Sequence, residues 1–388
     1  MTFLFVLLFI LLFVYAGLLF YYRSGWKNIP IFTPLYPGKA KLPFITVIIP
    51  ARNEASNLPT LLDSLLAQTY PQKSFEVIVI DDHSTDNTAT IVQQYFPIRV
   101  LSLKDFLAGG AINSYKKKAI EIGVKHSSGE LIITTDADCY ATPAWLQTIA
   151  SFYTMNQPEL IVMPVAINCS NKAIEIFQAL DFMTLQGITG AAIDKKMHSM
   201  CNGANLAYTR KAFEAVNGFK GIDTIASGDD MLLMHKIALQ FPGGIAYLKS
   251  PNVIVQTEPV HTVKAFFNQR IRWASKADKY EDKRIFPVLL LVYLFNVMLM
   301  FLPITGIFSN NQWSMFNSQL SILGVWLVLL LLKTVAELIF LYPVAIFFNK
   351  QQLLWLFPLA QPFHILYTVV AGWLGKFGSY EWKERKVK

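Results

Sequence analysis

The chain has 388 residues, of which 53% are apolar and 15% charged, with a formal net charge of +8. The length allows one large or two ordinary domains, and the composition is too apolar for a soluble protein and too polar for a bare membrane bundle. The positive charge is no nucleic-acid footprint. It borders apolar stretches, at Arg23, Lys27, Lys39 and Lys41, at Lys276, Lys279, Lys283 and Arg284, and at Lys376, Lys383, Arg385, Lys386 and Lys388. That is the distribution expected of cytoplasmic flanks of membrane segments.

The first apolar stretch is Thr2–Tyr22. It lacks a basic leader and a small-x-small cleavage site, which favours an uncleaved anchor over a signal peptide. A linker containing Pro30, Pro34, Pro37 and Gly38 follows. Ile45–Pro50 is then a β-branched run that predicts a buried strand. Ala55–Gln68 repeats leucine at helical spacing, Phe75–Ile80 predicts a second strand, and Thr88–Tyr95 a second helix. Arg99–Leu103 and Leu131–Thr135 supply further strands, with helical Lys116–Val124 between them. Strands alternating with helices imply a mostly parallel sheet covered on both faces.

Ligands of such sheets bind beyond the carboxyl ends of the strands. Three polar loops fall there: Pro50–Glu54, Asp81–Asp86 and Asp136–Asp138. A dinucleotide oxidoreductase would need Gly-x-Gly-x-x-Gly after its first strand. The sequence there is Pro50-Ala51-Arg52-Asn53-Glu54-Ala55, which excludes that class.

Asp136 and Asp138 form an Asp-x-Asp turn that suits a hard divalent cation, Mg2+ or Mn2+, neutralising a diphosphate leaving group. Most copies of this tripeptide are only turn or capping residues, but its position at a strand end in an α/β pattern raises its weight. Asp81 and Asp82 suit hydrogen bonds to a base or ribose, whereas Ser84, Thr85 or Asp86 can simply cap the next helix. Asp229 and Asp230 precede a helix over Met231–Leu239 and read equally as caps or as an acidic pair containing a general base. In Val263–Tyr280, apolar residues recur opposite a basic face, as in an interfacial amphipathic helix. It carries Gln269-Arg270-Ile271-Arg272-Trp273, whose polar groups suit a diphosphate and whose indole suits a sugar ring. Three further long apolar stretches, Ile285–Phe308, Ser321–Phe348 and Leu353–Leu374, contain only Lys333 and Glu337 as charged residues. Each exceeds the about 20 residues that a bilayer crossing needs. The cysteines, Cys139, Cys169 and Cys201, have no metal-ligand spacing and fit a reducing compartment.

In this order, the motifs resemble the family 2 glycosyltransferases of GT-A fold, in the membrane branch containing cellulose and hyaluronan synthases and ceramide glucosyltransferase. The resemblance implies nucleotide-sugar contacts at Ala51, Arg52, Glu54, Asp81, Asp82, Lys116 and Asp136. It implies a metal on Asp138 with Asp136, diphosphate contacts from Gln269 and Arg272, and acceptor or sugar contacts from Trp273, Asn202, Gly203 and Asn205. Asp230, beside Asp229, matches the general base. Three departures stand out: His83 where the family commonly has Gly, Gly228 where processive synthases have Thr, and Glu384 for Gly in the tail.

What is implied is an inverting hexosyl transfer to a lipid or lipid-linked glycan. A processive synthase, a polyprenyl-phosphate transferase and a catalytically silent scaffold are the alternatives, in that order. The expected organisation is an anchor (1–22), a linker (23–42), a GT-A domain (43–260), an interface helix (261–284), membrane segments (285–375) and a basic tail (376–388). The expected location is an integral protein of a bacterial inner membrane with its catalytic domain cytoplasmic. A simple count of crossings would put the basic tail outside, against the charge rule, so a cytoplasmic tail is expected instead. Either Pro358 and Pro362 break the last segment into a hairpin, or Ser321–Phe348 bends, with Lys333 and Glu337 paired one turn apart.

Overall fold

The computed structural model describes residues 2–34, 42–107, 114–225, 227–276, 282–308, 312–315, 318–378, 380–382 and 385–387. The chain divides into two compact units. One comprises Met1–Asn28, Cys169–Ala191 and Val260–Lys388, and the other Ile29–Asn168 and Ala192–Pro259. The first helix, α1 (Thr2–Asn28), runs six residues past the expected anchor, through part of the expected linker. Residues 35–41 of that linker and 277–281 of the expected interface helix lie outside the described residues.

The second unit is built on a sheet. Its strands and helices are β1 (Ile45–Ala51), α2 (Leu58–Leu66), β2 (Phe75–Asp81), α3 (Thr88–Val92), β3 (Arg99–Ser102), α4 (Tyr115–Lys125) and β4 (Leu131–Thr134). They continue with β5 (Cys139–Tyr140), α5 (Trp145–Asn156), β6 (Leu160–Val162) and β7 (Val165–Ile167). After α6 (Ala173–Asp194) come β8 (Leu206–Thr209), α7 (Arg210–Ala215), α8 (Asp229–Gln240), β9 (Ile245–Tyr247) and β10 (Val255–Thr257). The main sheet has the order β3-β2-β1-β4-β8-β6-β9, and a smaller one the order β5-β10-β7.

β1 is an interior strand and largely apolar because both its faces are covered, as in parallel sheets generally. It pairs in parallel with β2 and β4, Ala51 opposite Asp81 and Ile45 opposite Leu131. Helix α2 buries Leu58, Leu61, Leu62 and Leu65, one stripe of a 3.6-residue period. The sheet is not wholly parallel. β8 is inserted antiparallel between β4 and β6.

The first unit is helical. It contains α1, most of α6, α9 (Val263–Ala274), α10 (Ile285–Phe308), α11 (Ile322–Phe347) and α12 (Phe357–Phe377). α6 therefore groups with the terminal helices, not with the expected 43–260 domain. In α1 the buried residues Phe5, Leu8, Leu12, Tyr15, Leu19, Tyr22 and Trp26 form one stripe, while Phe3 and Phe13 are each 81% exposed. Among the described residues, four helices are long and apolar enough to cross a membrane. Lys333 pairs with Glu337 at 2.7 Å, as the one-turn spacing predicts, and Tyr15 and Gln361 complete the buried network. Of the two alternatives, the hairpin is not seen among the described residues: α12 continues through Pro362, and Pro358 sits in its first turn, where a proline costs no helical bond.

Candidate active site

The carboxyl ends of β1 and β2 are laced together. The Asp82 amide donates to Ala51 O at 2.7 Å. Arg52 Nη1 donates to the carbonyls of Asp82 (3.1 Å) and His83 (3.4 Å). The amides of Asn53, Glu54 and Ala55 donate to Ser84 Oγ, Thr88 Oγ1 and Asp86 Oδ2. Asp86 also accepts from the Thr88 amide and hydroxyl at the start of α3. The capping reading thus accounts for Asp86 and leaves the strand-end pair. Asp81 and Asp82 are buried, and Asp81 Oδ1 has no hydrogen-bond partner among the described residues. A buried, unpaired carboxylate oxygen is costly unless a ligand or water meets it. Ser114 Oγ and Thr135 Oγ1, at the start of α4 and just after β4, are likewise buried and unpartnered.

His83 has φ +57°, the left-handed region, which explains why glycine is usual there. Its ring is held by Asp82 Oδ1 at 2.9 Å and edge-on against Tyr115. Gly228 has φ +78° at the cap of α8, where threonine's β-branch would be strained.

Asp136 and Asp138 lie on the turn joining β4 to β5, closed by the Cys139 amide donating to Asp136 O at 3.2 Å. Burial, with Asp138 and Asp136 adding to it, pushes the Cys139 thiol well above the usual range and keeps it protonated. Lys116, in the first turn of α4, brings the acidic motifs together. Its Nζ lies 2.7 Å from Asp136 Oδ1 and 3.4 Å from Asp229 Oδ2. Burial alone would lower this ammonium's pKa, but Asp136, Asp229 and Asp230 outweigh it and push it above the ordinary lysine value. Asp230 Oδ2 accepts the Gly203 amide at 3.0 Å. A Cβ at Gly203 would stand 3.1 Å from Asp229 Oδ2 and 3.4 Å from Lys116 Nζ, so the glycine admits these groups.

Asn202 Oδ1 accepts the Ala204 amide and shapes this loop. Asn205 does not suit the contact expected of it. It is fully buried, its Nδ2 donates to Pro164 O and Val253 O, and its Oδ1 accepts Trp145 Nε1. With those bonds made, it is a bracket of the fold rather than an acceptor ligand.

Among the described residues, no three His, Cys, Asp or Glu side chains gather to hold a metal. Two carboxylates on one turn nonetheless fit Mg2+ or Mn2+, which commonly take one or two carboxylates and complete their shell with phosphate oxygens and water.

In the helical unit, Gln269, Arg272 and Trp273 are partly exposed on α9. Arg270, the motif residue to which no separate contact was assigned, is buried. It bonds Asp181 and Gln269 Oε1 and lies 4.2 Å from the Trp273 ring centroid. Trp273 also packs on Phe182, so part of its indole is already engaged.

The family model "Glycosyl transferase family 2" matches residues 46–216. Those residues are a family 2 glycosyl transferase domain. The chain is similar to glycosyltransferase AglE of Haloferax volcanii, 36% identical over 106 residues, 27% of this chain and 34% of the relative. The β-monoglucosyldiacylglycerol synthase of a Nostoc species is 27% identical over 245 residues, covering 61% of this chain and 49% of the relative. These two matches span only about a third to a half of the relatives' lengths. The fold as a whole, family 2 domain and flanking helices, resembles the mannosyltransferase PcManGT of Pyrobaculum calidifontis. The TM-score is 0.55 at 19% identity, over 96% of this chain and 98% of that one. This is a GT-A fold.

Proposed function

We propose that the chain is an inverting, metal-dependent glycosyltransferase that moves a sugar from a nucleotide-sugar to a lipid or lipid-linked glycan at the cytoplasmic face of a membrane. The observation that carries this reading is Lys116, whose ammonium joins Asp136 of the Asp-x-Asp turn to Asp229, next to Asp230. The Asp81 carboxylate oxygen, which has no hydrogen-bond partner among the described residues, supports a donor with a base or ribose to bind.

Asp230 takes the proton of the acceptor hydroxyl, which attacks the anomeric carbon opposite the departing diphosphate. Gly203 N fixes the orientation of the Asp230 carboxylate. Lys116 bears positive charge where the diphosphate leaves, and its acidic neighbours keep it protonated. A bound Mg2+ or Mn2+, held by Asp138 with Asp136, supplies further neutralisation of the leaving group. One displacement inverts the anomeric centre.

Membrane attachment is supported by the four long apolar helices. Within the helical unit, Trp326 Nε1 of α11 donates to Leu299 O of α10, and α12 meets α10 at Gly372, against Tyr293, and α11 at Gln361, against Lys333. Its end at Gly375 packs on Ala274 of α9, which favours a tail on the side of α9.

The test is purified protein incubated with radiolabelled nucleotide-sugars, a divalent cation and native membranes, followed by lipid extraction. Label in the lipid fraction is expected. Label only in insoluble polymer would replace the lipid acceptor with a processive product, and no transfer or nucleotide-sugar hydrolysis would sink the reading.

A further inference from the structure

Lys117 stands next to Lys116 but is turned to a different task. It is 1% exposed, and its Nζ donates to the carbonyls of Ile222 (2.8 Å), Ile225 (2.5 Å) and Ser227 (3.2 Å). An ammonium has three N–H donors, and these three carbonyls match their number. They belong to the segment that enters α8, where Gly228 turns the chain and Asp229 and Asp230 follow. The earlier part of the same segment is gripped from α8 itself, Lys236 Nζ donating to Gly218 O (2.6 Å) and Lys220 O (2.8 Å).

We propose that Lys117 is a positioning residue: by clasping the carbonyls of Ile222, Ile225 and Ser227 it sets the acidic pair, Asp229 and Asp230, against Lys116 and Gly203. The argument is one of geometry. Consecutive residues of α4 point about 100° apart, so one helical turn grips both the carboxylates and the segment that delivers them. Ser227, the nearest clasped residue, is two positions from Asp229. Without the clasp, the carbonyls of Ile222, Ile225 and Ser227, buried or partly buried, lose a charged donor and the segment is no longer held from α4. A general base displaced by ~1 Å costs up to ~100-fold in rate.

This inference rests on the transferase reading, so the test has one arm that needs substrate and one that does not. Lys117→Met is expected to lower kcat by about tenfold or more while nucleotide affinity stays within about threefold. Lys117→Arg, which keeps charged donors, should recover part of the loss. Lys236→Met breaks a clasp of similar size farther from the acidic pair and should change kcat less. Independently, hydrogen exchange of peptides covering 217–228 should accelerate in Lys117→Met. If the methionine variant does not fold, Lys117→Gln takes its place in both arms. Unchanged exchange would overturn the clasp whether or not a sugar donor has been found. Three kinetic results would overturn the positioning role: kcat within about twofold of the native enzyme, a loss confined to nucleotide affinity, or an equal loss in Lys236→Met.

Discussion

Arg270 gives two hydrogen bonds to one carboxylate oxygen of Asp181, from Nε at 3.0 Å and from Nη2 at 2.6 Å. The other oxygen accepts the Tyr367 hydroxyl, so one buried carboxylate ties α6, α9 and α12. Phe177, Phe266, Ile271, Tyr367 and Ala371 pack together around these helices. Removing one partner of such a pair leaves a buried charge unmatched, at a cost of about 3–5 kcal/mol. Asp181→Ala should therefore lower the thermal midpoint of the detergent-solubilised protein by several degrees. An unchanged midpoint would mean that the pair is solvated or dispensable.

Asp138→Ala should weaken nucleotide binding only when the divalent cation is present. The turn's carboxylates are proposed to meet the cation, and the cation the diphosphate. Titration calorimetry with a nucleoside diphosphate, with and without Mn2+, measures this difference. Equal affinities in native and variant protein would place the cation elsewhere.

For Asp230→Asn the expected pattern is opposite. Asparagine retains an oxygen for the Gly203 amide but cannot accept the acceptor's proton, so nucleotide-sugar affinity should hold while transfer falls at least ~100-fold. Near-native turnover would remove Asp230 as the base and direct attention to Asp229.

Lys249 offers a test in pH. Burial pulls its pKa down from 10.5 to about 8, although its Nζ donates to Ile29 O at 3.2 Å. Between those values the unfolded chain binds more protons than the folded one, so stability rises with pH across the interval. Native protein should gain stability from pH 8 to about 10.5 relative to Lys249→Met, in which the group is absent. Parallel stability curves would show that the ammonium is solvated in the fold.

Membrane sidedness is the fifth prediction. A cysteine at Lys376, in a background lacking the three native cysteines, should resist a membrane-impermeant thiol reagent in sealed cells and react after permeabilisation. Labelling of sealed cells would put the tail outside and make α12 a true crossing.

The sheet was legible because its strands are buried on both faces. Ile45–Ile49, broken only by Thr46, and Val77–Ile80 and Leu131–Ile133 are apolar, mostly β-branched runs that have few other uses in a chain. Polar loops at the ends of such strands converge by topology alone, so the positions of Asp81, Asp82, Asp136 and Asp138 could be anticipated without coordinates. The antiparallel insertion of β8 could not, since Leu206–Thr209 is too short to announce its direction. Nor could the grouping of α6 with the terminal helices, because an apolar helix does not declare which neighbour it will cover.

Side-chain assignments divided in the same way. Asn205 lies in a small-residue loop suited to a sugar, yet its amide is consumed by three partners distant in sequence. Asp181 and Arg270 are 89 positions apart, and no local pattern pairs them. The clearest case is the run Lys116-Lys117-Lys118, three identical letters. Composition and helical propensity determined that this segment is a basic helix start. Only the rotation of about 100° per residue, with the packing around it, decided the rest. Lys116 meets Asp136 and Asp229, Lys117 meets backbone carbonyls, and Lys118 pairs with Glu121 where both are partly exposed.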